Sequence, residues 1–499
     1  MVPESADKPA NLRKKFSLPA VCIISTIIFC VALAVALVPK VYAQARAEQG
    51  LSSQYASTIR NVFDIIQRNF VEEVEPNQLF EGAMTGLLNS LGDPYSVYLN
   101  NKEMTDVNDT TQGSFGGVGL YVSKPTNSDG KPNYLLVASP IEDTPGWRAG
   151  INSGDLIIEI NGESTEPLSS EEAAARLRGQ PGTEVRVLIR RGETLEFPVT
   201  LVRAIIEVPT VKHAMIDNIG YLKLLTFTPF TLERSQEAIR DFQAKGYKGI
   251  ILDLRNNYGG LLNSAVDVSG LFLDSGVVVT IRTRQESGNQ VYRARGNAMV
   301  PTAIPMVVLI NRGSASASEI VAGALKDRGR AYLVGEKSYG KGSVQQVYPL
   351  NNVGFKITIA RYYTPSDVSI DTVGIPPDRE ILFPEFTEAD AIEMNSLMNS
   401  GKITDFIRVN PEAGSASIEA FADQLHGEYS LEVSLLRMLI REEKNRRSTA
   451  PVYDLDYDVQ LQEAVKILTI ENFQILMRSA KTLKTLQEEA MKDEFGLAS

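Results

Sequence analysis

Residues 313–320 read Gly-Ser-Ala-Ser-Ala-Ser-Glu-Ile, three hydroxyls spaced two apart on a run of small side chains. The run lies between an apolar segment, Met306 to Ile310, that reads as a buried strand, and a periodic segment, Ile320 to Asp327, that reads as an amphipathic helix. Where a strand feeds a helix, the first N–H groups of the helix have no partner, and with the helix dipole they favour a developing oxyanion. A serine in that turn can attack a carbonyl. Ser314, Ser316 and Ser318 could equally be ordinary helix caps, so the chemistry depends on what the rest of the chain supplies as base and oxyanion donor.

The usual base for a serine is histidine, and the chain has two, His213 and His426. One lies in a connecting segment and the other in a helical tail. A lysine serves instead if burial lowers its pKa until the neutral amine is available. Lys341 stands in Tyr339-Gly340-Lys341-Gly342-Ser343-Val344-Gln345-Gln346, with a glycine on each side that lets the backbone pack closely. A residue four further on, Gln345, reaches the amine if the chain turns; by itself the segment also reads as a charged hairpin end. A third segment, Leu252-Asp253-Leu254-Arg255-Asn256-Asn257-Tyr258-Gly259-Gly260, runs from the carboxyl end of a strand into a helix. Ligands bind at such ends in open α/β sheets, and paired glycines offer unobstructed N–H donors, although a tight turn would look the same.

The elements that must position these groups follow from length and pattern. A chain of 499 residues divides into two to four domains, and 43% hydrophobic with 22% charged residues is the make-up of a folded globular protein. The net charge of -11 argues against nucleic acid as the main partner, since phosphate binding needs a concentrated basic surface. Residues Leu18 to Val38 carry no charge and follow Arg13, Lys14 and Lys15, the pattern of a membrane anchor with its basic end in the cytoplasm, while Ala43-Gln44-Ala45 resembles a signal cleavage site. The bulk of the chain is therefore expected outside the cytoplasm. Both cysteines, Cys22 and Cys30, fall inside the apolar stretch, which leaves the remainder without disulfides or thiolate chemistry.

Residues 51–110 show helical periodicity (Ile59, Val62, Phe63, Ile66, then Leu79, Ala83, Leu87, Leu88), ended by Leu91-Gly92-Asp93-Pro94. From Ser114 to Arg203 short strands alternate with turns, and a helix from Ser170 to Leu177 is capped by Ser169. This order resembles a PDZ domain, in which Val118, Gly119 and Leu120 would line the pocket for a peptide's terminal carboxylate as the peptide adds to the sheet edge. Residues 204–380 alternate strands (Gly249 to Leu254, Val277 to Arg282, Met306 to Ile310, Ala331 to Gly335) with helices, including one from Gly260 to Leu273, and end in a hairpin, Val344 to Leu350 with Phe355 to Ala360. The rest reads as helical, with breaks at Asn410 to Ser417 and near Arg441 to Arg447, and an amphipathic stretch from Asp456 to Leu497 suited to packing or self-association.

The three chemical segments together resemble the carboxyl-terminal processing peptidases, or tail-specific proteases, over about residues 55–380. The resemblance implies an α/β multi-domain chain: a cytoplasmic stub and transmembrane or signal segment (1–45), an N-terminal helical region (46–112), a PDZ domain (113–203), a ClpP/crotonase-like protease core (204–380) and a C-terminal helical region (381–499). It implies Ser316 as nucleophile, Lys341 as general base, Gln345 as the residue that orients the lysine, and oxyanion donors at Ala317 and at Gly259 and Gly260. Ser314 and Ser318 become local hydrogen bonders or caps, and Glu319 a partner for the helix start.

The chain departs from the family pattern at Tyr258, where proline is usual, at Tyr95, where histidine is usual, and in Thr364-Pro365-Ser366-Asp367-Val368, which lacks the usual glycine-arginine. The activity implied is serine endopeptidase cleavage near protein C-termini, without metal or cofactor, in the periplasm or cell envelope. Arg178 is the implied link between PDZ domain and active site, while the helical tail itself suggests self-association or docking of an activator. Two other readings are a catalytically degenerate PDZ scaffold and a crotonase-like enzyme acting on thioesters.

Overall fold

In a computed structural model, residues 53–124, 133–192, 194–296, 298–383, 387–447 and 451–494 are described. The uncharged stretch 18–38 and the cleavage-site resemblance at 43–45 lie outside them. Among the described residues no helix is long and apolar enough to cross a membrane.

Residues 1–92 form one unit. Its described part is two helices, 53–69 and Pro76–Asn89, the second entered through Pro76, whose fixed φ suits the first turn. The helical periodicity is present, but Ile59, Val62 and Leu87 of the expected packing stripe are exposed.

The second unit spans 93–499 and is built on a six-stranded sheet. Strands Gly249–Asp253, Met306–Ile310 and Tyr332–Gly335 are buried at every residue, as interior strands covered on both faces must be. The order is Val211–Ile216, Ile219–Leu224, Gly249–Asp253, Met306–Ile310, Tyr332–Gly335, Arg379–Glu380; the first two pair antiparallel and the rest parallel. Leu222, Ile250, Leu252, Val308 and Leu333 point into a core shared with helices Thr231–Ala244, Leu262–Ser269 and Ala317–Asp327. Tyr221, Ile251, Val307, Leu309 and Val334 point the other way and are covered by Leu461, Ala464 and Ile467 of helix Val459–Thr469. Helix Val459–Thr469 is thus part of the same core as the six-stranded sheet. The residues between form their own small core from helices Glu388–Asn399, Lys402–Val409, Ser415–His426 and Val433–Arg447. The expected break near Arg441 to Arg447 is continuous helix.

A second sheet orders Val97–Leu99, Val353–Tyr363, Val277–Thr283 and Gln290–Arg293, and Ser343–Leu350 also pairs with the long strand Val353–Tyr363. The PDZ-like strands, Leu120–Ser123, Leu135–Pro140, Leu156–Ile160, Glu184–Arg191 and Leu195–Val202, enclose a separate core. Helix Ser170–Leu177 begins in a capping box between Ser169 and Glu172. The chain enters and leaves this region through a two-stranded ribbon, Ser114–Gly117 against Ala204–Glu207, which makes it an insert in the fold.

Candidate active site

Strand Met306–Ile310 ends in a turn whose hydroxyls separate cleanly. Ser314 and Ser318 are fully buried; Ser314 Oγ donates to Leu254 O at 2.9 Å and Ser318 Oγ to Asn257 O at 2.7 Å. Both stitch the serine turn to the turn after strand Gly249–Asp253. Ser316 alone of the three is partly exposed. Its φ of 55° and ψ of -112° form a left-handed bend that a non-glycine residue adopts only when its surroundings enforce it. Ser316 lines a cavity of about 370 Å³ with Gly260, Leu262, Ala317, Val344, Gln345 and Tyr362, a wall of mixed polar and apolar character.

The donor groups expected beside it differ in their commitments. Among the described residues, no acceptor takes the N–H of Ala317 or of Gly260. The Gly259 N–H donates to Asn257 Oδ1 at 2.9 Å, so the expectation that it serves as an oxyanion donor does not fit this arrangement. Gly259 instead gives closeness: a Cβ there would lie 2.8 Å from both Ala315 O and Ser316 Cβ. Asn257, fully buried, also donates to Leu224 O at 2.9 Å and accepts from Ala315 N at 3.0 Å, holding glycine turn and serine turn together.

Lys341 enters from the loop before strand Ser343–Leu350. Its amine lies over the Tyr95 ring, 4.7 Å from the centroid, and makes no hydrogen bond to Ser316 or Gln345 among the described residues. Burial pushes its pKa below the ordinary lysine value, Lys356 adds to the fall, and Asp93 and Glu319 oppose it. The Tyr95 phenol is itself raised to about 12, chiefly by burial. Gln345, expected to orient the lysine, instead donates to Ser343 Oγ at 2.9 Å and Thr358 Oγ1 at 3.3 Å. Thr358 passes the chain of bonds to Asp93 Oδ2 at 2.6 Å.

The group that ties the two turns together is Glu319, whose expected part as a helix-start partner is only one of its contacts. Fully buried, it accepts four donors: Ser338 Oγ at 2.6 Å and Gly340 N at 2.7 Å on Oε1, Ser316 N at 2.8 Å and Lys341 N at 2.9 Å on Oε2. Burial raises its pKa even so, with the four hydrogen bonds pulling the other way. A signal was present: Ser316 and Glu319 have the Ser-x-x-Glu spacing of a capping box, in which the glutamate reaches back to the N-cap N–H. Tyr362 completes the floor, its buried hydroxyl donating to the Lys341 carbonyl and lying within hydrogen-bonding reach of the Ser316 hydroxyl.

His213 and His426 stand apart from this site, beside Asp241 and Leu431 O respectively. In the insert, Val118, Gly119 and Leu120 line a cavity of about 230 Å³ with Ala174, Leu177 and Arg178. Gly119 (φ 73°) accepts Thr144 Oγ1 and Ile141 N on its carbonyl, which holds the loop against its neighbour.

Comparison with known proteins gives three family matches: Peptidase family S41 over residues 218–381, a PDZ domain over 136–191, and the activating protease CtpB N-terminal domain over 35–103. A carboxy-terminal-processing protease of Bartonella bacilliformis is 41% identical over 64% of this chain and 73% of its own length. The carboxy-terminal processing protease CtpA of Bacillus subtilis is 32% identical over 70% and 74%. A solved photosystem II D1 C-terminal processing protease is 29% identical over 65% of this chain and 92% of that one, with a TM-score of 0.38. The identity shared with these relatives over most of their length places the chain in the carboxy-terminal-processing protease family, serine peptidases of the S41 class with a PDZ domain.

Proposed function

We propose that this protein is an extracytoplasmic endopeptidase that cuts proteins near their C-termini with Ser316 as nucleophile and Lys341 as general base. The observation that carries this is the strained, partly exposed Ser316, set against a glycine turn and beside the uncommitted N–H groups of Ala317 and Gly260. The neutral amine of Lys341 takes the Ser316 proton as Oγ attacks the scissile carbonyl, and the two N–H groups receive the oxyanion. The protonated amine gives its proton to the leaving amine. Water, deprotonated by the same lysine, then releases the acyl group from Ser316.

In the present arrangement the amine rests on Tyr95, so the productive state requires Lys341 to swing to Ser316 Oγ, and Gln345 to follow if it is to orient the amine. The PDZ-like groove at Val118, Gly119 and Leu120 takes the substrate's terminal carboxylate by strand addition. Delivery across a membrane is supported by the uncharged stretch 18–38 behind three basic residues. The test compares wild type with Ser316→Ala and Lys341→Ala on an unfolded protein substrate, with products read by mass spectrometry. Cleavage by wild type alone is expected; equal cleavage by all three would overturn the assignment and leave the scaffold reading.

A further inference from the structure

The turn that presents Gly260 leaves the sheet at Arg255, and Arg255 is held from the far end of the chain. Its guanidinium has every N–H donor engaged. Nε donates to Asp253 Oδ1 at 3.0 Å and Nη2 to Asp253 Oδ2 at 2.7 Å. Nη1 donates to Asp458 Oδ1 at 2.7 Å and to Gln460 Oε1 at 3.0 Å, and Nη2 also to Asp458 Oδ2 at 2.6 Å. Asp253 further accepts Tyr221 OH at 2.6 Å and the Arg255 backbone N–H at 2.9 Å. Arg255, Asp253 and Gln460 are buried, and Asp458 is nearly so at 18% exposed. Asp458 has a second duty as N-cap of helix Val459–Thr469, accepting Leu461 N at 2.9 Å.

We propose that Asp458, beyond the S41-matched segment, is a positioning residue for the oxyanion turn, acting through Arg255. The argument is mechanical. Within five residues after Arg255 the backbone takes positive φ at Asn256 (59°), Gly259 (104°) and Gly260 (142°). Such a turn keeps one geometry only when its ends are over-determined. The far end is fixed by Phe227, which exchanges hydrogen bonds with Gly259 O and Leu261 N. The near end is fixed by two carboxylates gripping one planar guanidinium bidentately, a pairing that sets direction as well as distance. Removing Asp458 frees half of that grip and leaves two buried donors short of partners. The backbone root of the turn then has Asp253 alone, on its own strand, to hold it.

The inference rests on the reading of Ser316 and the Gly260 N–H given above, and the experiment separates the two. Asp458→Ser and Asp458→Asn both retain a good N-cap for the helix while discarding the bidentate clamp. Ile467→Ala, a fully buried position on the same helix, loosens its packing on the sheet without touching the clamp. All are assayed with the full chain, well below each thermal midpoint. Both Asp458 variants are expected to lose kcat by about tenfold to a hundredfold, the cost of an oxyanion donor misplaced by roughly an ångström, with KM within about twofold. Phosphonylation of Ser316 by a fluorophosphonate, whose tetrahedral oxygen occupies the same donors, is expected to slow in parallel. Ile467→Ala is expected to lower the thermal midpoint by at least as much yet keep kcat. Wild-type kcat in both Asp458 variants, or an equal kcat loss in Ile467→Ala, overturns the proposal. If Ser316→Ala is active, the site reading itself falls; if Ser316→Ala is inactive while the Asp458 variants match wild type, only this inference falls.

Discussion

The backbone N–H of Lys341 donates to Glu319 Oε2 at 2.9 Å, and the same oxygen accepts the N–H of Ser316 at 2.8 Å. One atom therefore registers the main chain of Ser316 against the main chain of Lys341, although no hydrogen bond joins their side chains. The proposed swing of the Lys341 side chain from Tyr95 to Ser316 therefore needs no parting of the two backbones. A carboxylate does this better than any neutral group, because both of its oxygens accept and neither carries a proton.

Glu319→Gln is the direct test of that relationship. Each oxygen takes two donors, so an amide must turn its NH₂ against one pair, leaving buried N–H or O–H groups unmatched at about 1–3 kcal/mol each. The expected outcome is a lowered thermal midpoint and a kcat reduced on the order of a hundredfold, since serine and lysine lose their common reference. Wild-type kcat in Glu319→Gln would show that the shared oxygen is dispensable.

The pH dependence follows from the lowered pKa of Lys341, caused first by burial and then by Lys356. With Lys341 as the proposed base the neutral amine is the form that acts, so kcat/KM should rise with pH and level off below the ordinary lysine range. The sign for stability is opposite to that of a paired lysine. The unfolded chain binds the proton more tightly than the folded one, so folding bears a cost at neutral pH that shrinks as pH climbs from the folded toward the unfolded pKa. Lys341→Met, of similar volume and uncharged, should be inactive yet melt higher than wild type at neutral pH, with the gap closing in alkali. An activity profile flat from neutral to alkaline pH would remove Lys341 as the base.

Much of the site could be read from residue type and spacing because it is local. The serine run, the glycine-flanked lysine and the glycine pair each sit on one short turn. What could not be read depends on approach from elsewhere. Asp93 and Tyr95 meet Lys341 only because strand Val97–Leu99 pairs with Val353–Tyr363, and Gln345 is drawn to Thr358 across a hairpin. The helix expected from Gly260 starts at Leu262, since Gly260 at φ 142° is bridged to Phe227 and belongs to the turn. Strand Leu195–Val202 escaped notice because Pro198 interrupts its pattern, which an edge strand tolerates. Arg255 and Asp458 lie about two hundred residues apart in the chain and nothing local joins them.

The glycine turn makes its own prediction. A Cβ on Gly260 would stand 2.2 Å from Phe227 O, and one on Gly259 2.8 Å from Ala315 O, both at positive φ. Backbone cannot yield as a side chain can, so either alanine must shift the turn away from Ser316. Gly259→Ala and Gly260→Ala should each lower kcat on the order of a hundredfold, with a smaller effect on substrate binding. Tyr258→Ala, at a 77% exposed side chain in the same turn, should leave kcat within about threefold. Equal losses at all three positions would mean that the turn matters for folding and not for the placement of its donors.

Arg178 closes the base of the PDZ-like groove and reaches out of it. Its Nη1 lies 2.8 Å from Asp109 Oδ2 and 3.5 Å from Asp106 Oδ1 on helix Asn101–Gln112, and its guanidinium stacks 4.8 Å over the Phe115 ring. Phe115 lies three residues before Val118, so the arginine touches both the strand that leads into the Val118–Leu120 loop and the helix that precedes the insert. The ion pair is two-fifths exposed on the arginine side, and pairs of that kind are worth about 0–1 kcal/mol. An incoming substrate carboxylate can therefore take Arg178 from Asp109 at little cost, and that exchange would carry news of a bound tail out of the groove. Burial already raises the Asp109 pKa while Arg178 opposes it, so losing the arginine should raise it further. Arg178→Ala is expected to cut tail-stimulated cleavage about tenfold or more, well beyond any change in the cleavage of a short peptide without a free tail. Asp109→Asn, which removes the competitor, should tighten binding of a C-terminal peptide measured by fluorescence anisotropy. If Arg178→Ala leaves tail-stimulated cleavage intact, the arginine is a surface residue and the signal from the groove travels by another route.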